Sequence, residues 1–176
     1  MEKSEVILHS HSDIQELIRF IDQKAGALLI IYGFILTATI EVSKDLKFVN
    51  PFLLDQFSDT FLSILLLVVG FILLTSLIIQ IHFTLFSIIK PRKAKNYTQD
   101  EVSVLYFGHT SKRKKNDFVN NFTEISIEDI EKQMLEQIYE ISCILSEKSE
   151  NFNSILKYLY GTIFCLLLFI YLTGTV

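Results

Sequence analysis

The chain has 176 residues, half of them hydrophobic, and its 16 Lys and Arg against 20 Asp and Glu give a formal net charge of −4. What excludes a soluble globular domain is where charge is missing: from Phe61 to Ile89 there is no Lys, Arg, Asp or Glu. Residues 61–79 alone reach about 28 Å as a helix, close to the ~30 Å hydrocarbon thickness of a bilayer, so the chain is expected to be an integral membrane protein.

In chain order, residues 1–24 are polar and mixed in charge. They lack the short apolar core and small-residue cleavage site of a signal peptide and are expected to stay in the mature protein. Ser12 and Gln15 fit a capping box, and Ile14, Leu17, Ile18 and Ile21 recur at helical spacing, which predicts an N-terminal helix running straight into the first span. His9 and His11 stand two apart, which is not helical ligand spacing, with no Cys nearby to complete a zinc site; they read as surface residues. The first span is expected over 25–42. Its Gly26, Gly33, Thr37 and Glu41 share one face, suited either to close helix packing or to a wet path.

A link over 43–60 holds only Lys44 and Lys47 as cations, and the second span is expected over 61–89, extending past the membrane. Ser76, Gln80, Thr84 and Ser87 repeat at intervals of four, four and three and form a polar stripe, again readable as helix packing or as a pore lining. Lys90, Arg92, Lys93 and Lys95 follow at once. Lys and Arg near span ends resist translocation, so this bias predicts a cytoplasmic N-terminus, a periplasmic link, a cytoplasmic segment over 90–154 and an outward C-terminus.

Within 90–154, Thr98 and Glu101 fit a capping box, Val102 to Phe107 is β-branched and aromatic, and Gly108 is expected to end that stretch. Lys112, Arg113, Lys114 and Lys115 form a second basic cluster. Between the clusters stands Tyr106-Phe107-Gly108-His109, where aromatic faces suit stacking on a base and cations suit a phosphate; topology and anionic-lipid contact are the other uses of such cations. A clear helix start lies at Ser126, with Asp129 three residues on and Glu128 and Glu131 near the positive end of the helix. Ile127, Ile130, Met134, Ile138, Ile141 and Leu145 follow at helical spacing toward a third span over 155–173. Tyr158, Tyr160 and Tyr171 flank that span, where amphipathic rings favour the membrane interface. Cys143 and Cys165 read as packing residues. No phosphate loop, nucleophile elbow or metal-ligand cluster is present, so an enzyme is not expected, nor a cofactor or a bound metal. The fold class is therefore an all-α integral membrane protein with three transmembrane helices and a helical insert between the second and third.

Asp22-Gln23-Lys24-Ala25-Gly26 before the first span, Pro91-Arg92 after the second, Phe107-Gly108-His109 in the insert, and Gln137-Ile138-Tyr139 with Ser142 and Lys148 before the last span resemble the Pycsar transmembrane effector family, in order and over nearly the whole chain. Gln23 stands where a small residue is expected, and Ser103 or Val104 where Asn is expected, departures that bear on the pocket rather than on the family. The resemblance implies an antiphage effector that responds to cyclic UMP or cyclic CMP from a cognate cyclase by impairing the bacterial inner membrane, with no nucleic-acid partner. It also implies roles. Arg92 or Lys148 would meet the phosphate, Phe107 of the Phe107-Gly108-His109 motif would stack, and Gln137 or Tyr139, with Ser142 nearby, would read the pyrimidine. Asp22 and Lys24 would couple occupancy to helix movement. Homo-oligomers are expected, because a small insert buries little surface alone. A nucleotide-independent holin-like protein and a membrane scaffold share the same architecture.

Overall fold

The computed structural model describes residues 3–44, 46, 57–92 and 103–175. Their regular elements are all helices: α1, Lys3–Ser43; α2, Phe57–Phe83, which continues as a π-helical segment, Thr84–Ile89; α3, Phe107–Thr110; α4, Lys115–Glu124; and α5, Ile127–Thr173. Three of them, α1, α2 with its π-helical end, and α5, are long and apolar enough to cross a bilayer. At 41 and 47 residues, α1 and α5 have about twice the ~20 residues that a span requires. The chain divides into two compact units, one of Met1–Ile21 with Pro91–Ser149 and the other of Asp22–Lys90 with Glu150–Val176.

α1 differs from its expected start. Ser12 lies inside the helix rather than at its cap, because the turn before it is already helical and buries Ile7. Side chains one turn apart link the turns on either side, His9 Nδ1 with Asp13 at 2.8 Å and Gln15 Nε2 with His11 at 3.4 Å. α2 begins at Phe57, four residues before the charge-free run, with Asp59 in its first turn where the helix dipole favours a carboxylate. α5 begins as its sequence predicts. Ser126 Oγ accepts from the Asp129 N–H at 3.1 Å and donates to the Asp129 carboxylate at 2.6 Å, and Ile127 opens the helix.

The membrane unit packs one stripe from each span. α1 supplies Ala25, Leu28, Tyr32, Ile35 and Thr39, α2 supplies Leu66, Val69, Leu73 and Leu77, and α5 supplies Ile155, Leu159, Thr162, Phe169 and Leu172. The remaining faces expose Phe34, Phe71, Ile78, Ile79, Phe164 and Leu167, all above 60% exposed, a surface that only a hydrocarbon environment tolerates. The Gly33, Thr37 and Glu41 face of α1 belongs to this outer surface: nothing approaches a Cβ built at Gly26 or Gly33, Thr37 satisfies itself on the Gly33 carbonyl at 2.9 Å, and Glu41 pairs with Lys44 at 2.5 Å. The tight approach is at Gly70 instead. A Cβ there would stand 3.0 Å from the ring of buried Phe169, so glycine lets α2 and α5 close on each other.

At its far end α2 widens. Lys90 N–H donates to Leu85 O at 3.0 Å, a five-residue reach, and Pro91 then ends the helix. The Ser87 carbonyl, one of those a helix end leaves without an internal donor, accepts from Asn151 Nδ2 of α5 at 3.3 Å. His82 stacks on Phe86 at 4.4 Å between centroids, and Lys90 Nζ lies 5.7 Å from the same ring.

Gly70→Leu should cost about 1–3 kcal/mol through overpacking against Phe169. Gly161→Leu, with nothing within 4 Å of its Cβ position, is the matched control and should be near neutral. Thermal unfolding of both variants in one detergent checks this, and equal midpoints would disprove the close contact.

Candidate functional site

The insert's capping box at Thr98 and Glu101, together with Lys93 and Lys95, lies outside the described residues. From Ser103 onward the chain folds back on itself. Ser103 Oγ accepts from the N–H groups of Leu105 and Tyr106 at 3.2 and 3.3 Å, a side-chain turn that Ser makes as Asn does. Ser103, one of the two positions where Asn is expected, makes this turn itself. The same hydroxyl donates to Gln133 Oε1 of α5 at 3.0 Å, and Val104 N–H donates to that oxygen at 2.9 Å. Ser103 and Val104 are buried, so this amide pins the loop to α5.

Gly108 does not end the segment but sits inside α3. Its missing side chain is filled by Tyr106, whose Cε1 would stand 2.7 Å from a Cβ at that position. His109 meets the Tyr106 ring edge-on at 4.9 Å between centroids, and its Nδ1 accepts from Ser103 N–H at 3.3 Å, which leaves the proton of the neutral ring on Nε2. Thr110 Oγ1 reaches the carbonyls of both Val104 and Tyr106 at 3.1 Å. Phe107 opens α3. The loop is thus a preformed turn with an aromatic motif at its tip. The second basic cluster follows in a bend leading to α4, with Lys112, Lys114 and Lys115 exposed.

On α5, Gln133, Gln137, Glu140 and Lys148 share one face by helical spacing. Gln137 is half-buried, Glu140 is 6% exposed and Lys148 is 3% exposed. Glu140 had no signal in the sequence, since one carboxylate among the many on this helix looks like any solvated residue. Tyr139 and Ser142 lie on the far side: Tyr139 is 61% exposed, and Ser142 Oγ donates to the Ile138 carbonyl at 2.7 Å. Helix geometry therefore separates Tyr139 and Ser142 from Gln137 within one chain. Arg92 pairs with Glu147, and Lys3 of α1 with Glu131 at 3.2 Å. Asp22 is half-buried and Lys24 exposed, each with a partner.

The polar stripe of α2 faces the interior of the membrane unit. Gln80 Nε2 donates to Ser76 Oγ at 2.6 Å and to Thr162 Oγ1 of α5, Ser76 and Thr162 hydroxyls are 3.0 Å apart, and Thr162 donates onward to the Tyr158 carbonyl at 3.2 Å. Thr84, fully buried, returns its hydroxyl to the Gln80 carbonyl at 2.8 Å. Tyr32 of α1 brings its hydroxyl beside Thr84 without closing a hydrogen bond, and Gln80 Oε1 is likewise buried without a partner. Ser87 is half-buried, and its carbonyl is the one held by Asn151.

A bundle of three spans with a polar knot between them, together with a second compact unit that carries an aromatic turn, defines a multi-pass membrane protein. The model of the Pycsar effector protein domain matches residues 6–174, nearly the whole chain, and the protein belongs to that family of antiphage effectors. No curated protein and no solved structure matches the chain.

Gln133→Ala would leave buried Ser103 and the Val104 N–H without their acceptor, at a cost of about 1–3 kcal/mol. Hydrogen exchange over 103–110 should accelerate in that variant while exchange in the spans stays unchanged. Unaltered protection of the loop would show that the amide does not hold it.

Proposed function

We propose that this protein is a non-enzymatic receptor in the bacterial inner membrane that binds cyclic UMP or cyclic CMP in its polar unit and responds by impairing the membrane. The observation that carries the reading is the mounting of the loop that leads into Phe107-Gly108-His109 on Gln133 of α5, through Ser103 and Val104; α5 also bears Gln137 and Lys148 and continues without a break to Thr173 as a membrane span. A ligand held between that turn and α5 acts directly on a spanning helix. Phe107 would stack on the base, Gln137 would read its edge, and Lys148 or Arg92 would meet the single negative charge of the phosphodiester. Tyr139, on the far side of α5, would serve contact between copies better than base recognition. In this reading the polar unit is cytoplasmic, as the cations after the second span predict, and Asp22 and Lys24 stand where α1 enters the membrane.

The polar knot of Ser76, Gln80, Thr84 and Thr162 supports a resting state in which hydrophilic groups are turned away from lipid. Impairment of the membrane then needs these groups to be exposed, either to water or to further copies of the chain. A ligand shifts such an equilibrium only by binding the active state more tightly.

Calorimetry of detergent-solubilised protein should show binding of one of the two cyclic nucleotides, weakened about ten- to a hundredfold by Phe107→Ala or Gln137→Ala. Unchanged affinity in both variants would place the pocket elsewhere. In cells, co-expression with an active cyclase should depolarise the membrane and co-expression with a catalytically dead one should not; equal depolarisation would favour the nucleotide-independent, holin-like reading. A reporter fused after Val176 should behave as periplasmic, and a cytoplasmic result would overturn the orientation.

A further inference from the structure

Arg92 is the first cation after Pro91, a guanidinium suited to a phosphate, and it pairs with the carboxylate of Glu147. The two side chains differ in exposure: Arg92 is 16% exposed and Glu147 46%. The cation is therefore largely enclosed, whereas the carboxylate stands about half in water and regains hydration when it leaves. Glu147 also sits beside Lys148, buried at 3% exposure, on the α5 segment already assigned to the ligand. A carboxylate and a cyclic phosphodiester each carry one negative charge and each offer two oxygens to the fork of a guanidinium. Exchanging one for the other keeps the charge around Arg92 constant.

We propose that Glu147 is a resident stand-in for the ligand's phosphate. It holds Arg92 in its binding geometry, and it must be displaced when the nucleotide enters. This inference rests on the reading of the polar unit as the cyclic nucleotide receptor. Its consequence is a threshold. Every binding event includes the breaking of the Arg92–Glu147 pair, so affinity is set below what Arg92 would give to a phosphate unopposed, and low basal nucleotide leaves the effector at rest. The released carboxylate projects from a helix that is also a span, so its displacement is felt on α5 itself.

The test is calorimetry in a neutral detergent, with cyclic UMP and cyclic CMP, on the full-length wild type, Glu147→Gln, Glu147→Asp, Arg92→Gln and the double variant. Glu147→Gln should bind the cognate nucleotide roughly tenfold more tightly, because the neutral amide competes weakly for a guanidinium. Glu147→Asp keeps the charge and should stay near wild type. In the Arg92→Gln background the gain from Glu147→Gln should vanish. Ligand-free Glu147→Gln should melt lower than wild type while its ligand-induced rise in melting temperature is larger, a combination that a purely structural ion pair would not give. Wild-type affinity in Glu147→Gln, or a loss there, would overturn the stand-in role while leaving the receptor reading intact. A wild type that binds neither nucleotide would overturn both.

Discussion

The three spans are arranged around the inability of hydrocarbon to hydrogen-bond. Backbone groups inside the bilayer must find partners within the chain, which leaves helices as the form three single spans can take. The same rule sorts the side chains. Phe71, Ile78 and Phe164 face outward, where they meet lipid, and Gln80, Thr84 and Thr162 face inward, where each hydroxyl proton and both Gln80 amide protons find an oxygen. The remaining oxygens, Tyr32 Oη and Gln80 Oε1, are the points where this satisfaction is incomplete. An unpaired buried polar group costs on the order of 1–3 kcal/mol.

The polar unit solves a different problem. Its elements are short, and α4 buries no residue, so it cannot rely on a large apolar core. Order comes instead from polar fixings to one long helix: the Gln133 amide clasps the loop, Lys3 reaches Glu131, and Arg92 holds Glu147. Such contacts are individually modest.

The membrane unit buries its polar groups within one chain, and in the polar unit Arg92 pairs with Glu147. α5 is common to both, since it carries Gln133, Gln137 and Lys148 along one stretch and Thr162 and Phe169 along another.

The sequence by itself determined the class. A charge-free run of bilayer length, two further runs of the same kind, and the Ser126 cap followed by apolar residues at helical spacing are local properties, and local properties fix helices whatever the tertiary context. The order of the Phe107-Gly108-His109 and Gln137-Ile138-Tyr139 motifs relative to the spans was enough to point to the family. Tertiary structure decided which way each face turned. Two polar stripes looked alike in sequence, yet that of α2 is buried against Thr162 while the Gly33 and Thr37 face of α1 points outward. Small residues permit close approach but do not compel it, and the partner that makes Gly70 necessary, Phe169, lies far away in the chain. Ser12 failed as a cap for the converse reason: capping chemistry marks a helix start only where the preceding turn is not already helical. Glu140 and Glu147 were invisible among the acidic residues of α5, because a carboxylate acquires a role only from what packs against it, and no pattern along one helix records the cation that another segment brings to it.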